Sequence, residues 1–162
     1  MDDNPTTRLV EAIAWWKLGE PDAQKGLEEA AVQLLVAGDE RKTVVELASM
    51  YPDINDFELE ALVERTIVEL DVGELLSINA AEIATRRVAR MVISGTIPAS
   101  ELAWWAHKNF HYASDYDLLN ELAFLDDDYD ELEWLNKSVK KLDKRTLEIA
   151  RLIASDSQFP VL

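Results

Sequence analysis

Apolar residues recur along most of this chain at the three- and four-residue spacing that is typical of amphipathic α-helices. One such stripe consists of Leu59, Leu62, Val63, Ile67 and Leu70. The charged residues between these positions fall on other sides of the same helix. No stretch keeps the strict alternation of apolar and polar residues that a half-buried strand requires. The pattern therefore predicts an all-α fold without a sheet.

Residues that end or begin helices divide this pattern into segments. The glycines expected to close helices in the left-handed conformation are Gly19, Gly38, Gly73 and Gly95. The side chains expected to cap helix starts are Asn4, Asn55, Asn79 and Ser114. Together these signals predict seven or eight helices, near residues 5–18, 22–37, 41–50, 56–71, 78–94, 98–111, 115–125 and 136–155.

The predicted helices are joined by short connections. Short links make neighbouring helices run antiparallel, so the expected architecture is a compact array of helical hairpins. No segment is rich enough in Pro, Gly or Ser to act as a linker between independent parts. Residues 1–162 are therefore predicted to form a single helical domain.

Acidic residues outnumber basic residues by 32 to 16, which gives a formal net charge of −16. Such a charge disfavours nucleic acids and anionic membranes, because both are bound through lysine and arginine. It favours a cationic partner and speeds its association. No apolar run reaches the ~18 residues that span a bilayer. The first residues, MDDNPTTR, are acidic and unlike a signal peptide, so a cytoplasmic protein is expected.

Signatures of enzymes are missing from the sequence. The absence of cysteine excludes disulfides, a thiol nucleophile and cysteine-ligated metals. The chain contains no phosphate-binding loop, no dinucleotide-binding glycine pattern and no nucleophile elbow. We therefore expect a protein without catalytic activity and without a cofactor.

The densest charge lies in residues 114–134, which hold nine acidic residues and no basic residue. Residues 137–151 then hold six basic residues. An EF-hand loop starting at Asp126 is excluded, because Glu131 replaces its turn glycine and Lys137 replaces its bidentate glutamate. Three interpretations stay open: a solvated loop, internal pairing with the basic helix, or a docking surface for a basic partner.

Aromatic rings are interleaved with these carboxylates, an arrangement that suits the binding of lysine and arginine side chains. The candidate partner-binding residues are Tyr116, Asp126, Asp127, Asp128, Tyr129, Asp130 and Trp134.

A metal site is the alternative candidate. His107 and His111 are four residues apart on a predicted helix, so their rings share one side, and Asp115 follows at the same interval. The metalloprotease signature is not met, because Lys108 stands where that signature has a glutamate. The competing interpretation is a pair of histidines at a helix surface or helix end.

Residues 84–134 carry a resemblance to known proteins. The stretch contains a glycine-closed helix end, SGTIP, a helix started by proline, and the acidic segment FLDDDYDELEW. It resembles the C-terminal part of small, stand-alone helical bacterial proteins, most of them uncharacterised. The small, acidic, helical character is also similar to that of bacterial immunity proteins, which neutralise toxins. The resemblance implies an inhibitor that binds another protein.

The leading hypothesis is thus a non-catalytic protein-binding module that resembles an immunity protein or antitoxin. Its acidic surface would bind a basic protein partner, such as a toxin, and would occlude the cationic site of that partner. One alternative is a metal-binding protein or metal-dependent enzyme that uses His107 and His111. Another is a subunit of a homo-oligomer with exposed tryptophans at a symmetric interface, and the sequence leaves the oligomeric state open.

Overall fold

A computed structural model describes residues 4–50 and 52–155 of the chain. These residues contain eight α-helices and no strand, which confirms the all-α fold. The helices are α1 (Pro5–Lys17), α2 (Ala23–Val36), α3 (Lys42–Ala48), α4 (Asp56–Leu70), α5 (Gly73–Ile93), α6 (Ala99–Phe110), α7 (Asp117–Trp134) and α8 (Lys140–Ser155). Within these residues, no helix combines the length and the apolar composition needed to cross a membrane.

The chain divides into two compact units, and the border between them falls between Ala84 and Thr85, inside α5. In the first unit α1 packs on α2, α2 on α3 and α3 on α4. In the second unit α6, α7 and α8 pack against one another. The single domain stays a prediction.

Each unit has an apolar core built from the predicted stripes. In the first unit Leu59, Leu62, Val63 and Ile67 are buried along α4. The largest fully buried side chains of the second unit's α6, α7 and α8 are Leu102, Leu119, Leu122, Ile149 and Ile153. Burial of one such leucine or isoleucine contributes about 1.5–3 kcal/mol, so these stripes are the main source of helix stability.

Two of the four predicted caps are confirmed. The Asn4 side chain accepts a hydrogen bond from the backbone N–H of Thr6, and the Asn55 side chain accepts one from Glu58, both at 3.0 Å. Each bond satisfies one of the four backbone donors that a helix start leaves without a partner.

The other two predicted caps have different outcomes. Asn79 lies inside α5, at a kink where two helical segments meet, with the non-helical angles φ −123° and ψ 26°. The second of these segments begins close to the predicted start, whereas α5 as a whole begins six residues before Asn79. Ser114 lies before the cap position, which Tyr116 occupies, and its hydroxyl accepts a hydrogen bond from the Tyr116 N–H at 3.1 Å. Ser114 therefore shapes the turn that precedes α7.

Three of the four predicted glycine stops are confirmed by positive φ angles, at Gly19, Gly38 and Gly95. Gly73 is the exception, because it is the first residue of α5. The left-handed residue that ends α4 is Asp71, with φ 56°. Aspartate tolerates this conformation better than most side chains do, which explains how α4 closes without glycine.

Helix α7 is longer than predicted, and the acidic run is helical instead of a loop. The helix extends to Trp134, and its last turn contains no basic residue within the described chain. Leu135 is its C-cap, and the next residue, Asn136, is left-handed with a φ of 51°. The N–H of Lys137 donates to the Leu132 carbonyl at 2.8 Å, and that of Asn136 donates to Glu133 at 3.0 Å. These two bonds form a Schellman motif.

Two glycine substitutions test the assigned helix ends in the first unit. Gly38→Ala is expected to lower the free energy of unfolding by about 1–2 kcal/mol, because φ is +97° there. Gly73→Ala is expected to be neutral or stabilising by up to about 1 kcal/mol, because an added Cβ would meet the Ile67 side chain at an ordinary 3.6 Å. Urea unfolding followed by circular dichroism measures both. Equal destabilisation by the two variants would contradict the assignment of Gly73 to a helix start.

Candidate protein-binding face on helix α7

Helix α7 has a buried side and an exposed side. Its apolar residues Leu119, Leu122, Ala123 and Leu125 are buried, and α7 packs against both α6 and α8. Successive residues of a helix point about 100° apart, so two residues that are three or four positions apart lie on the same side of the helix. This register decides which acidic residues face solvent.

Asp126 lies on the buried side. The side chain of Asp126 is only 12% exposed, and its Oδ2 atom is 2.8 Å from Nδ1 of His107 on α6. A hydrogen bond to a carboxylate is roughly twice as strong as a neutral one. Asp126 therefore connects α7 to α6 and is not part of an exposed surface.

Tyr129 also lies on the buried side, with 6% of its surface exposed. Its hydroxyl is 2.9 Å from Oδ1 of Asp143 and 3.2 Å from Oγ1 of Thr146, both on α8. Burial raises the pKa of the Tyr129 hydroxyl well above its usual range. This ring connects α7 to α8, and it was wrong to expect an aromatic group available to a partner there.

The other five predicted partner-binding residues differ in how far they are exposed to solvent. Tyr116 is half-buried at the cap of α7. Asp127, Asp128, Asp130 and Trp134 are exposed. Asp130 is three positions after Asp127 and four before Trp134, so it lies at the edge of the side that those two residues share.

Five other exposed residues make up the rest of this side, and we call these five the acidic face: Phe124, Asp127, Asp128, Glu131 and Trp134. Phe124 is 58% exposed and Trp134 is 82% exposed, which is unusual for rings of this size. Phe124 and Glu131 were not predicted. They would have been predicted if the three- and four-residue spacing of a helix had been continued through the acidic run.

Tyr112 borders the acidic face. Its hydroxyl donates to Oδ2 of Asp127 at 2.8 Å, and its ring lies 4.9 Å from the ring of Phe124, measured between centroids. The hydrogen bond to the Asp127 carboxylate raises the pKa of Tyr112. Tyr112 therefore holds one carboxylate and one ring of the acidic face in place.

The basic residues after α7 do not neutralise the acidic face. The exposed lysines are Lys137, Lys140, Lys141 and Lys144. None of them lies within 4 Å of a carboxylate oxygen of the described residues. Internal pairing involves Arg145, whose guanidinium binds Glu121 of α7 at 2.6 and 2.8 Å. Glu121 lies outside the acidic face, so the pairing interpretation applies only to that residue.

The histidine arrangement does not assemble a metal site in the described part of the chain. The His107 and His111 ring centroids are 6.3 Å apart, but Nδ1 of His107 is occupied by Asp126. His111 has left α6, with φ 52° and ψ −121°, so the shared helical side that the spacing assumed is interrupted. Among the described residues, no group of three His, Asp or Glu side chains is gathered to hold a metal ion.

The adjacent tryptophans Trp104 and Trp105 on α6 are divided between surface and core. Trp105 is buried, and its indole N–H donates to the Thr85 hydroxyl at 2.9 Å. Trp104 is half-exposed, and Nζ of Lys108 lies 5.0 Å from the centroid of its ring. A cation over the ring face covers part of Trp104, so this ring is a weaker binding candidate than Trp134.

Comparison with known proteins finds no matching family model, no matching curated protein and no matching solved structure. The resemblance of residues 84–134 to immunity-type proteins therefore stays a prediction.

Replacing Asp126 tests its structural role. Asp126→Ala leaves Nδ1 of His107 without its carboxylate, and we expect the free energy of unfolding to fall by about 1–3 kcal/mol. The matched control is Asp128→Ala, which removes the same charge from an exposed position and should change stability by less than about 0.5 kcal/mol. Urea unfolding measures both variants. A tolerated Asp126→Ala would show that the contact with His107 contributes nothing.

The variant Tyr129→Phe tests how much the buried hydroxyl stabilises the fold and how this stabilisation depends on pH. At pH 8 the variant should be less stable by about 1–3 kcal/mol, because Asp143 and Thr146 lose a partner. The pKa of Tyr129 is raised in the folded state from its ordinary value of 10.0. The hydroxyl therefore adds its full share to the free energy of unfolding below pH 10, and this share is lost as the pH rises above 10. The difference in free energy of unfolding between the unmodified protein and Tyr129→Phe should shrink by roughly 1.4 kcal/mol by pH 11. Chemical unfolding at a series of pH values checks this, and a constant difference would contradict it.

Proposed function

We propose that this protein is a non-catalytic binding protein that holds a basic protein partner on the acidic face of α7. One observation carries the proposal: three carboxylates and two large aromatic rings are exposed together on one side of a packed helix. The neighbouring lysines do not pair with these carboxylates within the described chain.

The carboxylates supply attraction and orientation. Asp127, Asp128 and Glu131 lie within little more than one turn of α7. At physiological salt the Debye length is about 8 Å, so a docked partner senses this local cluster more strongly than distant charges. The net charge of −16 acts at longer range and speeds the encounter with a cationic protein.

The aromatic rings supply contact area. Phe124 and Trp134 stand at opposite ends of the acidic face, ten residues or about 15 Å apart along the axis. Exposed large rings are frequent hot spots of binding, and the carboxylates between these two rings select lysine or arginine. A partner helix or loop with basic residues flanked by apolar ones fits this arrangement.

The concrete form that we propose is an inhibitor of the immunity or antitoxin type. It would act by covering a cationic site of the partner, which requires no catalytic group of its own. The resemblance of residues 84–134 supports this form, and the lack of cysteine suits a reducing cytoplasm.

Capture from a lysate of the native host tests the proposal. The bait variant Asp127→Asn/Asp128→Asn/Glu131→Gln changes the net charge from −16 to −13. We expect a basic protein that binds the unmodified bait and binds this variant at least tenfold more weakly, which corresponds to about 1.4 kcal/mol. Quantitative mass spectrometry of the captured proteins gives the ratio.

Two further baits make the result specific. Glu40→Gln/Glu60→Gln/Glu74→Gln makes the same charge change at exposed positions elsewhere and should keep the partner. Trp134→Ala leaves the charge unchanged and should weaken capture about thirtyfold if the ring is a hot spot worth about 2 kcal/mol. If no captured protein distinguishes the acidic-face variants from the matched control, the proposal is wrong.

A further inference from the structure

A pocket lies between α3 and α4, within the first unit of the chain. Its volume is about 490 Å³, and it is open to solvent. Its walls come from the end of α3, from α4 and from the connection that joins them. Small-molecule sites have volumes of roughly 300–1,000 Å³, so this pocket, which we call the α3–α4 pocket, has room for a small ligand.

The floor of the α3–α4 pocket is apolar. Met50 and Leu62 are buried, with 7% and 4% of their surfaces exposed, and Ile54 is half-buried and lines the same pocket. An alkyl group that covers such side chains leaves water, which is favourable. The floor therefore suits a ligand with an apolar stem.

The rim of the α3–α4 pocket is acidic. Asp53 and Glu58 line the pocket, and both side chains are exposed. Neither carboxylate forms an ion pair or a hydrogen bond with the described residues. Both therefore keep the full capacity of a carboxylate to accept hydrogen bonds from a cation, at the edge of an apolar floor.

The charges of the pocket disfavour an anionic ligand. Among the described residues that line it, the only cation is Arg65, and its Nη2 atom lies 2.8 Å from Oε2 of Glu46 in the same pocket. The positive end of α4 is complemented as well, because Asp56 and Glu58 stand in its first turn. With Glu46 and Arg65 paired, the two free carboxylates leave a local surplus of negative charge.

We propose that the α3–α4 pocket binds a small organic cation, which is an ammonium or guanidinium group at the end of a short alkyl chain. The alkyl chain covers the apolar floor, and the cationic group meets the carboxylates of Asp53 and Glu58. The net charge of −16 concentrates cations around the molecule, and the pocket selects those that also carry an apolar part. The acidic face lies in the other unit, so this inference does not rest on the proposed function.

Butylguanidinium and its neutral isostere butylurea test the proposal. Backbone amide signals in nuclear magnetic resonance spectra of the full chain report where each compound binds. Butylguanidinium should shift the amides of Ser49, Met50 and Asp53 in a saturable manner, with a dissociation constant of about 1 mM, as is usual for so small a ligand. Butylurea lacks the charge and the guanidinium ion alone lacks the stem, so each should bind at least fivefold more weakly.

Two variants with the same change of net charge locate the site. Asp53→Asn/Glu58→Gln should weaken the binding of butylguanidinium at least fivefold. Glu60→Gln/Glu74→Gln removes the same charge at exposed positions that do not line the pocket, and it should leave the affinity unchanged. Circular dichroism verifies that both variants fold.

Several outcomes would overturn the cation site. It fails if butylurea binds as tightly as butylguanidinium, if the control variant weakens binding as much as the pocket variant, or if no amide of the pocket shifts. N-acetylarginine amide joins the same cation and a similar stem to peptide groups. If it binds at least tenfold more tightly than butylguanidinium, the occupant is a protein side chain and the small ligand is excluded. None of these results bears on the capture experiment, whose variants lie on α7.

Discussion

The position of α7 depends on two polar contacts set among its apolar ones. Asp126 binds His107 on α6, and Tyr129 binds Asp143 and Thr146 on α8. Because these two residues are three positions apart, they lie on one side of the helix and fix its rotation. A rotation by one residue would bury Asp127 and expose Tyr129. The whole composition of the acidic face follows from this register.

The register also separates two kinds of acidic residue that look alike in sequence. Asp126 and Glu121 are engaged by a histidine and an arginine of neighbouring helices. Asp127, Asp128 and Glu131 remain directed at solvent, with only Asp127 receiving a hydrogen bond, from Tyr112. A net charge of −16 therefore says less about binding than the three carboxylates that no neighbouring lysine covers.

The sequence predicted the helical class, most helix positions and several helix ends. Asn4, Asn55 and Gly38 act locally, and a local signal is readable without tertiary structure. Gly73 was wrongly predicted to end α4, and Asp71, which ends it, was not predicted. Glycine is tolerated at helix starts as well as at helix ends, and aspartate can also adopt a left-handed conformation. These choices depend on how the flanking helices pack.

The candidate site was predicted in part. Four of the predicted residues are exposed as the docking hypothesis requires: Asp127, Asp128, Asp130 and Trp134. Composition alone gave no means to distinguish them from Asp126 and Tyr129, because charge and aromaticity do not reveal which side of a helix is buried. Treating the acidic run as a loop removed the periodicity that would have included Phe124 and Glu131. The left-handed Asn136 was the available signal for the true helix end.

The acidic last turns of α7 have an energetic consequence. The C-terminal end of a helix carries the negative end of its macrodipole, so Asp130, Glu131 and Glu133 stand where carboxylates are disfavoured by about 0.3–1 kcal/mol each. Any cation that settles against these turns relieves this strain as well as forming its own contacts. Binding and the local rigidity of this helix end are therefore thermodynamically linked: occupancy should protect the final backbone amides of α7 from hydrogen exchange.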